Sequence, residues 1–127
     1  MIGLMSEHGA RRVVIVEDDD DIRGLMGTVL DRMGYEVIAL ARGEDALDSV
    51  RSHDPDLVTL DMGLPGMDGV EVLRGLREFF LGPVVMVSAR ACPVDTERAL
   101  AAGADGYLVK PFRPRALRED LERIVGR

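Results

Sequence analysis

The sequence predicts an α/β fold, an open doubly wound sandwich in which five parallel strands alternate with five helices. Three observations predict it. Five short β-type runs recur along the chain, and each is followed by a stretch whose apolar residues repeat at helical spacing. Strict β–α alternation with short connections requires a parallel sheet, right-handed crossovers and helices on the sheet faces. The length of 127 residues, 46% of them hydrophobic, suits one domain. It is too short for an eight-fold barrel.

The strands are predicted at Val13–Val16, Glu36–Leu40, Leu57–Leu60, Val84–Val87 and Tyr107–Val109. Four are nearly continuous aliphatic runs, as strands covered on both faces must be. The run Glu36–Leu40 is weaker and reads as an edge. Residues 1–12 read as a flexible tail, and 13–127 as the folded domain. The first helix carries Ile22, Leu25, Met26, Val29, Leu30 and Met33 on one stripe and stops at Gly34, a residue that accepts a left-handed turn. One of the acids Asp18–Asp21 is expected to cap it. A second helix runs from about Gly43 to Ser52 with Ala46, Leu47 and Val50 inward. A third starts near Gly69 and groups Val70, Leu73, Leu76 and Phe80. The fourth, about Val94 to Ala102, is alanine-rich and weakly patterned. The last carries Leu117, Leu121, Ile124 and Val125 and is opened by Pro114.

Composition excludes several classes of function. The net charge is −7, and the sequence pI near 4.8 argues against a broad basic surface for nucleic acid or an anionic membrane. No apolar run reaches membrane-spanning length. The opening stretch breaks any secretory core with Glu7, His8 and Gly9. A cytoplasmic location is expected. Cys92, the single cysteine, cannot form an internal disulfide and reads as a small half-buried side chain.

In open α/β sheets ligands bind beyond the carboxyl ends of the strands. There the first strand delivers Glu17 and Asp18, the third Asp61, the fourth Ser88 and the fifth Lys110. The second delivers only Leu40 and Ala41, which suits a strand lying to one side. Taken singly, each polar residue has a plain structural use: a cap, a turn, a local backbone partner, a solvated charge. Together they are more informative. Three converging carboxylates need a cation, and hard oxygen ligands suit Mg²⁺. A central carboxylate can serve as a nucleophile toward phosphorus, and a facing lysine can neutralise phosphoryl oxygens. Positioning and charge neutralisation are most of what phosphoryl transfer needs.

Five segments then carry a family resemblance. They are Val-Val-Ile-Val-Glu-Asp-Asp (13–19), Pro-Asp-Leu-Val-Thr-Leu-Asp (55–61), Leu-Pro-Gly-Met-Asp-Gly (64–69), Val-Met-Val-Ser-Ala-Arg (85–90) and Ala-Gly-Ala-Asp-Gly-Tyr-Leu-Val-Lys-Pro-Phe (102–112). In this order they resemble the receiver domains of two-component response regulators, over about Val13 to Val125. The resemblance implies a flavodoxin-like sheet of order 2-1-3-4-5. It implies that Asp61 accepts phosphoryl from a sensor histidine kinase or phosphotransfer protein. It assigns Mg²⁺ to Asp18, Asp61 and the backbone carbonyl of Gly63, with Glu17 acting through water. Ser88 and Lys110 would contact the phosphoryl group, Tyr107 would swing inward as Ser88 moves, and Lys110–Pro111 would be a cis bond. Such a domain is a signalling phosphoacceptor rather than an enzyme. It switches the face made by helix four, strand five and helix five toward an output domain, a protein target or a second copy.

Some positions depart from the family pattern. Glu17 replaces the commoner Asp, and Gly63 has no side chain to steer an attacking water. Winged-helix receivers pair Asp-Asp before the Tyr and carry Glu and Arg in the last helix. Here the corresponding residues are Asp105–Gly106, Ala116 and Asp120, which speaks against that salt-bridged dimer. Two other readings compete. A haloacid dehalogenase-type phosphatase would need a second acid where Gly63 stands. A degenerate receiver, acting only as a phosphorylation-independent interaction module, would lack part of the acid, hydroxyl and lysine set that is present.

Overall fold

The computed structural model describes residues 11–126. The strands are β1 (Arg11–Val16), β2 (Tyr35–Leu40), β3 (Leu57–Asp61), β4 (Val84–Ser88) and β5 (Gly106–Val109). The helices are α1 (Asp20–Arg32), α2 (Ala46–His53), α3 (Gly69–Arg77), α4 (Pro93–Ala101) and α5 (Pro114–Val125), with a short 3₁₀ turn at Gly43–Asp45 leading into α2. All strand pairs are parallel and the order is β2-β1-β3-β4-β5. The sheet is thus the doubly wound, flavodoxin-like one.

The apolar runs are continuous because both faces are covered. Val14, Val16, Val58, Leu60, Val84 and Met86 point to one core with Ala46 and Val50 of α2, Val72, Leu73 and Leu76 of α3 and Ala99 of α4. Val13, Ile15, Leu57, Val85 and Val87 point to the other, with Met26, Val29 and Leu30 of α1 and Leu117 and Leu121 of α5. Each such side chain larger than alanine contributes about 1.5–3 kcal/mol by leaving water, so these two layers dominate the stabilisation.

Local signals place the helix ends. Asp19 is the cap of α1, accepting hydrogen bonds from the Asp21 and Ile22 N–H groups, and Asp20 and Asp21 lie in the favourable first turn. Gly34 follows the helix with φ of 98°, a conformation that side-chain-bearing residues resist. Pro93 and Pro114 open α4 and α5.

Several expected boundaries shift, most by a single residue, and two of the shifts bear on packing. Strand β1 starts at Arg11, not Val13: Arg11 and Arg12 pair in register with Tyr35 and Glu36, and the Arg12 N–H donates to the Asp56 carboxylate at 2.8 Å. The part of the expected tail that precedes Arg11 lies outside the described residues. Helix α3 stops at Arg77, so Phe80 is not helical, yet it stays buried in the first core. Gly82 and Pro83 turn the chain there, and Arg77 captures the Phe80 and Gly82 carbonyls instead.

Among the described residues one buried hydroxyl lacks a partner. Thr59 stands in register with Ile15 and Val85, faces the second core, and its buried hydroxyl makes no hydrogen bond. An unpaired buried hydroxyl is costly. Thr59→Val is expected to raise stability by about 1 kcal/mol, read as a higher urea midpoint at unchanged slope; a lower midpoint would contradict this.

Candidate functional site

The sheet register brings the chemistry together. Val16 pairs with Leu60, Asp61 with Val87 and Ser88 with Val109, so the residues ending β1, β3, β4 and β5 share one edge. Strand β2 supplies only its Leu40 carbonyl, which accepts from the Glu17 N–H at 3.0 Å. At that edge one carboxylate oxygen each from Glu17, Asp18 and Asp61 lies within 4.8 Å of the others. Glu17 and Asp61 are buried, at 1% and 3% exposure, while Asp18 is open to solvent.

Lys110 is the counter-charge. Its Nζ lies 3.3 Å from Asp61 Oδ2 and 3.0 and 3.1 Å from the two Glu17 oxygens. Glu17 Oε2 also accepts the Asp19 N–H at 3.1 Å, and Asp61 Oδ1 accepts the Gly63 N–H at 2.9 Å. Burial pushes the Glu17 carboxyl above its usual value; the Asp61 charge adds to this, while Lys110 and the Asp19 N–H oppose it. Burial pulls the Lys110 ammonium down, but its hydrogen bond to Glu17 and the Asp61 and Glu17 charges outweigh that, and it titrates above its ordinary range.

A hard cation suits this cluster. Glu17 Oε1 is buried beside two further carboxylates and accepts no hydrogen bond of good angle, even with Lys110 Nζ close by. The donors are all oxygen, the set that Mg²⁺ takes. A cation there would take over the neutralisation that Lys110 now performs, freeing the lysine for another anion.

The remaining expected residues lie on β4, on β5 and in the turn that follows β5. Ser88 is buried, and its Oγ accepts the Arg90 N–H at 3.0 Å. The half-buried Tyr107 packs against the first core and donates its hydroxyl proton to the Arg90 carbonyl at 3.0 Å. Both therefore hold the Arg90 backbone. The Lys110 N–H donates to the Ser88 carbonyl at 2.7 Å, and Lys110–Pro111 is cis. Gly69 lets α3 start hard against β3: a Cβ there would stand 2.7 Å from the Asp61 carbonyl oxygen. The His53 ring bonds within α2, to the Ser49 carbonyl, while its own carbonyl accepts from Arg12 of β1, and Cys92 is half-buried ahead of α4. His8 lies outside the described residues.

Three side chains at the site were not foreseen. Arg23 reaches back from α1 to the Glu17 carbonyl at 2.9 Å, bracing the acidic turn. Asp68 caps α3 through the Val70 N–H and pairs with Arg98 of α4 at 2.8 Å. An acid directly before an apolar helical stripe is a readable cap signal. No local pattern signals a partner 30 residues away.

The comparisons with known proteins agree with this architecture. The sequence model of the family described as "Response regulator receiver domain" matches residues 13–122. The transcriptional regulatory proteins AfsQ1 and CseB of Streptomyces coelicolor are 39% and 42% identical over 115 residues, covering 91% of this chain and 51% and 49% of theirs. The chain thus spans about half the length of these relatives. Among solved structures, the BeF3-activated N-terminal receiver domain of Klebsiella pneumoniae RstA superimposes with a TM-score of 0.84 at 31% identity, covering 92% of this chain and all of that one. The chemotaxis response regulator CheY4 of Vibrio cholerae gives 0.83 at 32% identity, covering 91% and 98%. Among the described residues no helix is long and apolar enough to cross a membrane. With the family model spanning most of the chain, and the fold and acidic strand-end cluster in accord, the protein belongs to the response regulator receiver domains of two-component signalling.

Proposed function

We propose that this domain is a phosphoacceptor whose Asp61 takes a phosphoryl group from a sensor histidine kinase or phosphotransfer protein in a Mg²⁺-dependent reaction. The observation that carries this reading is the buried Asp61 carboxylate, held between an acidic cluster and Lys110. Asp18, Asp61 and the Gly63 backbone would hold Mg²⁺, with Glu17 acting through water; the ion supplies charge neutralisation for the phosphoryl oxygens. Asp61 Oδ2 forms the new bond to phosphorus while the bond from phosphorus to the donor's imidazole nitrogen breaks, and the imidazole leaves with the electron pair. Lys110 then pairs with the phosphoryl oxygens and Ser88 donates its hydroxyl proton to one of them. The phosphoryl group stays on the protein until hydrolysis, so the domain is a signal carrier, not a turnover enzyme.

The output follows from Arg90. Its N–H holds Ser88 and its carbonyl holds Tyr107. A Ser88 drawn toward the phosphoryl group gives up the Arg90 contact, and Tyr107 loses its outward anchor. The equilibrium shifts at the face of α4, β5 and α5, where Val94, Leu100 and Val109 are exposed. An output domain, protein target or second copy would read that face. A cytoplasmic location, where such kinases present phosphohistidine, belongs to the same reading, as does the assignment of residues 13–127 to this one domain.

Incubation with acetyl phosphate and Mg²⁺ tests the proposal. The intact mass is expected to rise by one phosphoryl group, with no rise in Asp61→Asn or with chelator present. Asp18→Asn should weaken Mg²⁺ binding by about tenfold or more, the scale on which metal sites respond to a lost partner. An unchanged wild-type mass would favour a phosphorylation-independent interaction module.

A further inference from the structure

A cleft of about 220 Å³ opens beside Ser88 and Gly63, on the side of the site away from the acids of β1, and Asp68, Arg90, Asp95 and Arg98 border it. Arg98 is held loosely there. Its Nη2 donates to Asp68 Oδ2 at 2.8 Å, while Asp95 stands 3.9 Å from Nη1, beyond hydrogen-bonding distance. That is one protein hydrogen bond among the described residues for a guanidinium with five N–H donors. Both members of the pair are 42% exposed, so their attraction is screened and cheap to exchange. Asp68 does not need Arg98 to keep its place, because its other oxygen caps α3. Arg90 also borders the cleft, and its guanidinium has no ion-pair or hydrogen-bond partner among the described residues.

A dianion approaching Asp61 meets an acidic side and a charge-balanced one. Toward β1 it faces Glu17 and Asp18. Through the cleft it passes Arg90 and Arg98 set against Asp68 and Asp95, with the Arg98 guanidinium lightly restrained by a carboxylate that a phosphate can replace. We propose that Arg98 is a specificity-determining residue that recruits small dianionic acyl phosphates through this cleft, with Asp68 as the competing anion the donor displaces. This rests on Asp61 being the phosphoacceptor. In the step itself Asp61 bonds to phosphorus, the bond from phosphorus to the acyl oxygen breaks, and the carboxylate leaves with the electron pair. Arg98 acts before that step, by binding and orienting the donor.

The test compares phosphorylation rates of the full chain with acetyl phosphate, a dianion near neutral pH, and phosphoramidate, a monoanion, at saturating Mg²⁺. Arg98→Ala is expected to slow the acetyl phosphate reaction by about five- to tenfold, the scale of a partly solvated charge-assisted contact, with phosphoramidate changed by less than about twofold. Arg98→Lys should recover much of the loss. Asp68→Asn keeps the cap, frees Arg98, and should speed acetyl phosphate alone. These differences should shrink at about 1 M salt, where the screening length falls to roughly 3 Å. A role confined to tying α4 to α3 predicts something else: Arg98→Ala and Asp68→Asn would move both donors by the same factor and in the same direction. That result, or an unchanged acetyl phosphate rate in Arg98→Ala, overturns the proposal. A wild-type protein that takes phosphoryl from neither donor overturns the phosphoacceptor reading itself.

Discussion

Replacing Lys110 with Met is expected to cost about 2–3 kcal/mol of stability in the absence of divalent cation. The side chain lies within 3.3 Å of two carboxylates that are almost fully buried, and its own exposure is only 14%. Methionine fills similar space but leaves Glu17 and Asp61 facing each other and Asp18 without a positive charge. Removing one partner of a buried ion pair strands the other, which is the expensive direction. The pH dependence identifies the cause. Glu17 already titrates above its ordinary value, so as pH falls through that raised value the folded state takes up a proton the unfolded chain does not, and the fold gains stability. Without Lys110 the upward shift grows. The loss is therefore expected to be larger at about pH 8 than at about pH 5, and Mg²⁺ should restore part of it. Urea unfolding at the two pH values, with and without Mg²⁺, measures both effects. A loss independent of both would show that Lys110 contributes by packing alone.

Arg77→Ala should cost a similar amount, about 3 kcal/mol, far from the acidic cluster. From the end of α3 this guanidinium makes five hydrogen bonds. Nη1 donates to the Phe80 and Gly82 carbonyls at 3.0 and 2.7 Å. Nε and Nη2 donate to the Gly103 carbonyl at 3.1 and 2.7 Å, and Nη2 reaches Asp105 Oδ2 at 2.9 Å. Asp105 in turn accepts the Val84 N–H at 2.9 Å. One side chain thus joins the loop entering β4 to the loop entering β5. Charge-assisted bonds are worth more than neutral ones, but water at this half-open position will replace some of them. Lysine is a poor substitute, since one ammonium cannot span three carbonyls in a plane. Arg77→Lys is therefore expected to recover less than half of the loss. Hydrogen exchange at Val84 and Asp105 should accelerate in both variants; exchange unchanged from wild type would contradict the linking role.

The strands and helices were legible because burial imposes a period. A strand covered on two faces must be apolar throughout, and Val13–Val16, Leu57–Leu60 and Val84–Val87 could hardly be anything else. Ends were less legible where a polar residue extends an element or an apolar one outlasts it. Arg11 and Arg12 join β1 because an edge partner, Tyr35–Glu36, accepts them in register. Phe80 keeps the stripe of α3 in sequence while the backbone has already turned. The acid, hydroxyl and lysine types of the site could be read because the fold class says where strand ends go. The connections among them could not, since Ser88 and Tyr107 meet only through the Arg90 backbone.

Alternation, burial of both sheet faces and the residue types at the strand ends can be read along the chain. All are local properties, set by side-chain spacing and by what the next residue permits. Which groups pair is set by packing in three dimensions: Lys110 with Glu17 and Asp61, Arg77 with two loops, Arg98 with Asp68. Apart from the nearby Phe80 and Gly82 carbonyls that Arg77 holds, those partners lie 26 to 93 residues apart along the chain. Their meeting depends on strand order and helix placement, which periodicity leaves open and packing settles. Asp61 shows the division: its type and place were readable in one dimension, whereas its burial beneath a lysine shared with Glu17 exists only in three.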